Sequence, residues 1–309
     1  MALVAELRAL LGDARVQADV PLAPFTTFRI GGPADVLAEI RTADELERVV
    51  HVARSHGVPL TMLGGGSNVL VSDAGIRGLV VRSHGGEIRR TTDGLRADAG
   101  VTINGLVRWS VQNGLGGLAA WAGTPGTLGG AIYGNAHFDG RLIGEKVLRV
   151  RVITPEGTPA ELPAEQMEFG YDTSRLQRTR EVLLWAELRV EPATVEGLRD
   201  TARRSLKYRK QTQPLALPSA GCIFQNPEKD DPKLPAGMPA SAGALVDAAG
   251  VKGSTQGGAR ISATHANFIV NEGGARASDV AALVERARSA VENQFGVQLR
   301  EEIVRLGEF

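Results

Sequence analysis

Apolar positions along this chain fall into helical and strand periods that alternate from end to end. Leu3, Leu7, Leu10 and Leu11 recur at helical spacing and predict an amphipathic helix at the N-terminus. Residues 35–40 have strand character. Thr42 and Glu45 then make a capping box ahead of a stripe of Leu46, Val49, Val50 and Ala53 that stops at Gly57. Segments 59–63 and 78–82 predict two further strands, the first running straight into Gly64-Gly65-Gly66-Ser67-Asn68. A second region, about 85–192, offers a helix from Thr102 to Gly114 and a Gly-rich passage over 114–140. Next comes a hairpin in which Leu148, Val150 and Val152 alternate with Arg149 and Arg151, then a strand over 182–190. The third region predicts helices over 195–210, 242–249 and 278–293, with strands near 266–271 and 298–306. Mixed strands and helices throughout point to an α+β fold.

Composition narrows the function. At 309 residues the chain has room for about two domains. Its 38 glycines, about 12% against a usual ~7%, imply many tight turns and close backbone approaches. Lysine plus arginine equals aspartate plus glutamate, 35 each, so no global field attracts nucleic acid or an anionic membrane. No apolar run approaches the ~18 residues of a membrane span. Glu6 and Arg8 interrupt what would be the apolar core of a signal peptide, so the expectation is a cytoplasmic chain without membrane insertion. A single cysteine excludes an internal disulfide and a cysteine-based zinc cluster. His51 and His56 miss the i, i+4 spacing that puts two ligands on one helical face, so no metal is expected. Nothing in the sequence sets an oligomeric state.

Four features carry candidate chemistry. Gly64-Gly65-Gly66-Ser67-Asn68 follows a strand, and Gly123-Thr124-Pro125-Gly126-Thr127-Leu128-Gly129-Gly130 forms a second glycine-rich loop with Asn135 close behind. Either alone reads as a tight turn. Together, with hydroxyls and no lysine, they suit a cofactor carrying a pyrophosphate and held by neutral donors. Cys222, in Ser-Ala-Gly-Cys, is either a small buried apolar side chain or a thiol acting as nucleophile or proton donor. Arg203, Lys207 and Lys210 lie at i, i+4 and i+7, one basic stripe that is either a solvated face or a dock for an anionic substrate. Glu302 shares a strand face with Val304 and Leu306, the placing of a carboxylate at a strand end or inside a site.

In order along the chain stand Thr26-Thr-Phe-Arg-Ile-Gly-Gly-Pro-Ala34, Gly64–Asn68, Gly123–Ala131 with Asn135, Ser219-Ala-Gly-Cys-Ile-Phe-Gln-Asn-Pro227, His265-Ala-Asn-Phe-Ile-Val-Asn271 and Glu302-Ile-Val-Arg-Leu-Gly307. In this set the chain resembles the UDP-N-acetylenolpyruvoylglucosamine reductases, flavoenzymes that complete UDP-N-acetylmuramate in bacterial peptidoglycan synthesis. The shorter subtype fits best, since the third region has no extra tyrosine-bearing loop. The resemblance implies an FAD-binding domain of the vanillyl-alcohol-oxidase (PCMH) type in two α+β subdomains, 1–82 joined by a returning strand at 299–309, and 83–193. An α+β substrate domain over 194–298 would follow. It implies FAD, NADPH as hydride donor, and a UDP-sugar as the small-molecule partner; non-covalent FAD is expected because neither glycine loop contains a histidine or cysteine. Both glycine loops and Asn135 would hold FAD; Arg203, Lys207, Lys210, Asn226 and Asn267 would hold the substrate. Cys222, where the family usually has serine, would donate the proton, and Glu302 would stabilise the intermediate.

Three departures stand against that pattern. The family's Phe-x-Tyr-Arg-x-Ser appears as Phe169-Gly-Tyr-Asp-Thr-Ser174, putting Asp172 where a catalytic arginine is expected. Arg175 is the nearest replacement cation. Asn135-Ala-His-Phe-Asp-Gly140 differs from the usual Asn-Ala-Gly-Ala-Tyr-Gly, and Gln225 replaces a common lysine. Two rival functions follow: an oxygen-using flavin oxidase on the same architecture, and a flavin-binding module without turnover. Ser-Ala-Gly-Cys with Glu302 favours the reductase over the oxidase, because only the reductase must protonate a carbanion.

Overall fold

The structure, a computed structural model, describes residues 2–309. Its helices are α1 (Ala2–Leu11), α2 (Ala43–Ser55), α3 (Ile103–Gln112), α4 (Leu128–Tyr133), α5 (Leu176–Thr179), α6 (Val195–Thr212), α7 (Ala242–Ala248) and α8 (Ala277–Phe295). The chain divides into two compact units. One unit takes 34–65 and 77–208 together with the N-terminal segment up to residue 20; the other takes 21–33, 66–76 and 209–309. No helix among the described residues is long and apolar enough to cross a membrane.

The first unit is built on two large sheets. In one, strands Val16–Pro21, Pro33–Ile40, Ile76–Ser83 and Leu60–Leu63 lie side by side in that order. The last two run parallel, with Leu63 opposite Arg82. Parallel neighbours need a long crossover, and here residues 64–75 provide it, leaving through Gly64 and Gly65. α2 covers this sheet as its apolar stripe demands: Leu46, Val49, Val50 and Ala53 bury against Ala38, Ile40, Leu79 and Val81, with Leu7 and Leu11 of α1. Thr42 Oγ1 accepts the N–H of Glu45 at 3.1 Å, and the Glu45 carboxylate takes the Arg41 N–H and the Arg15 guanidinium.

The second sheet of this unit is antiparallel, in the order Pro159–Pro163, Val147–Ile153, Val182–Leu188, Leu95–Asp98, Ile88–Arg90. Its central strand is buried at every position. Leu183, Ala186 and Leu188 belong to one core, with Trp121, Leu128 and Ile132; Val182, Leu184 and Trp185 belong to the core beneath α2. A strand enclosed on both faces needs a continuous apolar run, and residues 182–186 supply it.

The second unit folds around strands Ser219–Cys222, Phe268–Asn271, Ala259–Ile261 and Thr255–Gln256, with α7 and α8 against them. Phe28, Ile30 and Leu70 fill the same core. Strand Val304–Leu306 pairs in parallel with Val69–Val71, Val304 opposite Val69. The final strand is therefore shorter than the pattern over 298–306 predicts. Upstream of it, 300–302 runs beside 223–225, with a single bridge from Glu301 to Phe224.

Candidate active site

In the first unit the two glycine loops meet backbone to backbone. A Cβ on Gly65 would fall 2.6 Å from the Cα of Gly126, and one on Gly64 would fall 2.4 Å from Thr127 Oγ1. The second loop is fastened from behind. Gly123 N–H donates to Asn104 Oδ1 at 2.7 Å, Leu128 N–H to the Val101 carbonyl at 2.8 Å and Gly129 N–H to the Ala99 carbonyl at 2.8 Å. Gly123 and Gly126 take φ of 82° and 100°, the left-handed range that glycine adopts without strain. Thr127 caps α4, its side chain accepting from Gly130 N–H. Thr124 and Pro125 complete the turn. The result is a cradle of peptide edges and hydroxyls with no side chain to fill it. These residues fit an FAD pyrophosphate held by neutral donors.

Gly66, Ser67 and Asn68 fall in the second unit. Gly66 is wedged against the Thr26-Thr27 segment: its carbonyl accepts both the N–H and the hydroxyl of Thr27, and a Cβ would meet the Phe25 carbonyl at 2.2 Å. Two of the expected flavin ligands bond within the protein. Asn135 is fully buried, its amide donating to the Gly170 carbonyl at 2.7 Å and accepting Gly144 N–H at 2.8 Å, so it clamps two loops. Asn68 Nδ2 donates to the Glu302 carbonyl at 3.0 Å and its carbonyl accepts Val304 N–H, so it anchors the last strand.

That anchoring matters for the acid. Cys222 ends strand 219–222 opposite Phe268, half-buried, after a bulge at which Gly221 has φ 83°. Glu302 N–H donates to the carbonyl of Ile223, the next residue, at 2.8 Å. The backbone of Glu302 thus lies beside the residue that follows Cys222. Arg209 joins them. It is 7% exposed, and burial pushes its guanidinium down to about 10, with the Cys222 thiolate pulling the other way. It remains a cation at neutral pH.

Arg209 escapes the sequence pattern, in which Arg203, Lys207 and Lys210 are the basic stripe, either a solvated face or a substrate dock. All three are exposed, and Arg203 pairs with Asp200 on its own helix at 3.0 Å. The inward face of α6 is instead Leu198, Ser205 and Arg209, at i, i+7 and i+11. That spacing was present in the sequence. An arginine sharing a face with leucine and serine was the available signal.

Three more of the expected residues make bonds within the protein. Arg175 offers no open fork: Nε and Nη2 each donate at 2.9 Å to the two oxygens of the buried Glu181 carboxylate. That bonding raises its hold on the proton, and it commits the guanidinium to a structural ion pair. Asn267 spends its amide on Phe224, accepting the N–H at 2.9 Å and donating to the carbonyl at 2.8 Å. Asn226 Oδ1 accepts Ala242 N–H at 3.0 Å, at the first turn of α7.

Comparisons with known proteins agree with this layout. Residues 34–162 match the model of an FAD-binding domain. Residues 213–306 match that of the UDP-N-acetylenolpyruvoylglucosamine reductase C-terminal domain. The UDP-N-acetylenolpyruvoylglucosamine reductase of Synechococcus sp. strain RCC307 is 39% identical over 303 residues, 96% of each chain. That of Bacillus subtilis strain 168 is 38% identical over 296 residues, 95% of this chain and 94% of its own. The crystal structure of the Thermus caldophilus reductase matches with a TM-score of 0.76 at 31% identity, covering 95% of this chain and 99% of that one.

Proposed function

The chain belongs to the UDP-N-acetylenolpyruvoylglucosamine reductase family, and from that premise we propose how its own residues carry the reaction. It is an FAD-containing oxidoreductase that reduces UDP-N-acetylenolpyruvoylglucosamine in peptidoglycan synthesis, with NADPH as hydride donor. Bound FAD supplies hydride transfer from NADPH to the terminal vinyl carbon of the substrate. Gly64, Gly65 and the loop from Gly123 to Gly130 hold its pyrophosphate.

Hydride addition leaves an anion beside the substrate carboxylate, and an acid must protonate the adjacent carbon. Cys222 is that acid. Its thiol gives the proton to carbon, and the thiolate left behind is stabilised by the Arg209 charge until solvent reprotonates it. Glu302 stabilises the anion. The observation that supports this reading is the backbone hydrogen bond from Glu302 N–H to the Ile223 carbonyl, which holds residue 302 against the segment that follows Cys222. The supply of NADPH and a UDP-sugar places the reaction in the cytoplasm. The flavin domain is read as 1–82 with 299–309, plus 83–193, and the substrate domain as 194–298.

Anaerobic stopped-flow tests the reading. NADPH-reduced protein is mixed with UDP-N-acetylenolpyruvoylglucosamine or with air-saturated buffer, and flavin absorbance is followed. Faster reoxidation by the sugar nucleotide is expected, slowed ~10²–10⁴-fold by Cys222→Ala and largely restored by Cys222→Ser. Faster reoxidation by oxygen makes the protein an oxidase. Near-normal reoxidation of Cys222→Ala removes the thiol from the acid role.

A further inference from the structure

Two of the sequence departures, at His137 and Asp172, are 35 residues apart, and the structure joins them: His137 Nδ1 lies 2.8 Å from Asp172 Oδ1. Asp172 is 8% exposed, and its Oδ2 is buried with no hydrogen-bond partner. A carboxylate so enclosed is stabilised by a counter-charge held at hydrogen-bond distance. Among the described residues, His137 is the side chain within ion-pair distance that can provide one.

The surroundings hold the pair in place. Asn135 and Asp172 both sit in the left-handed region, at φ 43° and 53°, where non-glycine residues persist only if neighbours enforce it. Asn135 ties the 170 turn down through the Gly170 carbonyl. Ser174 Oγ and Gln177 Nε2 donate to the Tyr133 carbonyl at 2.8 and 3.0 Å, and Gln177 also donates to the Asp172 carbonyl at 2.9 Å. Tyr133 ends α4, the helix that the second glycine loop begins. So the pair is stapled to the far end of the element that cradles the flavin. The imidazole itself reaches outward, 29% exposed, with the Tyr171 ring 5.0 Å away. Arg175, the other cation nearby in sequence, is occupied by Glu181.

We propose that His137, kept as an imidazolium by Asp172, is the cation that stabilises the anion formed on the enolpyruvyl group, an assignment that rests on the reductase reading above. One hydride and one proton cross the double bond, the proton from the general acid of the reaction, and His137 neither gains nor loses one. His137 is catalytic in this scheme. Asp172 is a positioning residue that fixes the ring and its charge.

The test compares two replacements that separate charge from shape. In His137→Asn the amide can still donate to Asp172 but carries no charge; His137→Arg keeps a cation at some steric cost. Both are made as FAD-loaded protein, with flavin content and melting temperature recorded. Expected is a ~10²–10³-fold slower reoxidation by the sugar nucleotide in His137→Asn, the size of losing one stabilising donor. Reduction by NADPH should be unchanged, and His137→Arg should recover at least tenfold. A merely structural clip predicts the opposite order, with Asn tolerated and Arg not. That order, or equal loss in both, overturns the assignment. A second readout needs no turnover. The ¹⁵N signals of the His137 ring, identified among the five histidines by their loss in His137→Asn, should report imidazolium near pH 7 and neutral imidazole in Asp172→Asn. Neutral imidazole in the wild type overturns the assignment. If wild-type protein ignores the sugar nucleotide altogether, the reductase reading falls and takes this one with it; wild-type turnover with an unimpaired His137→Asn removes His137 alone.

Discussion

Gly65→Ala isolates the contact between the two flavin loops. The backbone of Gly65 lies outside the left-handed range, so an alanine there is strained only by what its methyl touches. That methyl would lie 2.6 Å from the Cα of Gly126 and 3.2 Å from its carbonyl carbon and nitrogen. Carbon atoms rest about 3.5–4.0 Å apart, so one loop must retreat by roughly 1 Å. Because the obstacle is backbone, no rotamer change relieves it. Overpacking of this kind costs about 1–3 kcal/mol. If the closed pair of loops is what binds FAD, the cost appears as a dissociation constant raised about 5- to 150-fold. Gly64→Ala is the internal comparison. Its methyl meets the Thr127 hydroxyl instead, which can rotate away at the expense of an α4 cap, about 1 kcal/mol. Apoprotein is titrated with FAD and flavin fluorescence is followed, with thermal melting of the apoprotein as the check on folding. Gly65→Ala binding FAD within twofold of wild type refutes the idea that these loops must touch.

Other perturbations read other parts of the fold. Asp73 Oδ1 and Oδ2 accept the N–H groups of Ala277 and Ser278 at the start of α8. Burial opposes its ionisation, but those hydrogen bonds and Arg276 outweigh it and hold the carboxyl below its usual value. Its folded value lies under the unfolded one, so its contribution is present above about pH 4 and is lost as pH falls through the folded value. Asp73→Asn should cost about 1 kcal/mol in urea unfolding near pH 6 and much less near pH 3; an equal cost at both counts against the cap. His265 is pushed down, first by burial and then by Lys252, and its Nδ1 accepts the Asn267 N–H, which suits a neutral ring. Here the unfolded chain binds the extra proton, so stability should fall as pH drops below about 6.5. His265→Gln should flatten that part of the melting-temperature profile, and an unaltered slope assigns it elsewhere. Arg175→Ala leaves the Glu181 carboxylate without its guanidinium, for a loss of about 1–3 kcal/mol in urea. Flavin reoxidation should hold its rate, and a large kinetic defect in a well-folded variant would return Arg175 to the chemistry. FAD should leave the protein on acid precipitation; flavin retained in the pellet contradicts non-covalent binding.

How much of this was legible depends on how far apart the partners are in sequence. α2 could be read because its cap, its stripe and its stop lie within 16 residues, Thr42 to Gly57. The strand over 182–188 could be read because an unbroken apolar run has few other uses. The glycine loops were visible as motifs, but their approach through Gly65 and Gly126 is a tertiary fact. Asp73 at the N-terminus of α8 joins residues 204 apart, and no local pattern announces it. Asn135 and Asn267 were read as ligand amides because a motif records that an amide is needed and not which way it faces; in the structure both amides are consumed by backbone.

Asp172 shows the same limit from the other side. As a single position it reads as damage, an anion where a cation is wanted, and His137 reads as a second unrelated change. Placed 2.8 Å apart the two changes answer each other. An arginine brings its charge with it, at any pH a protein survives. An imidazolium owes its charge to its surroundings. On the assignment proposed above, the carboxylate that seems to spoil the site is the group that fixes a histidine to serve it.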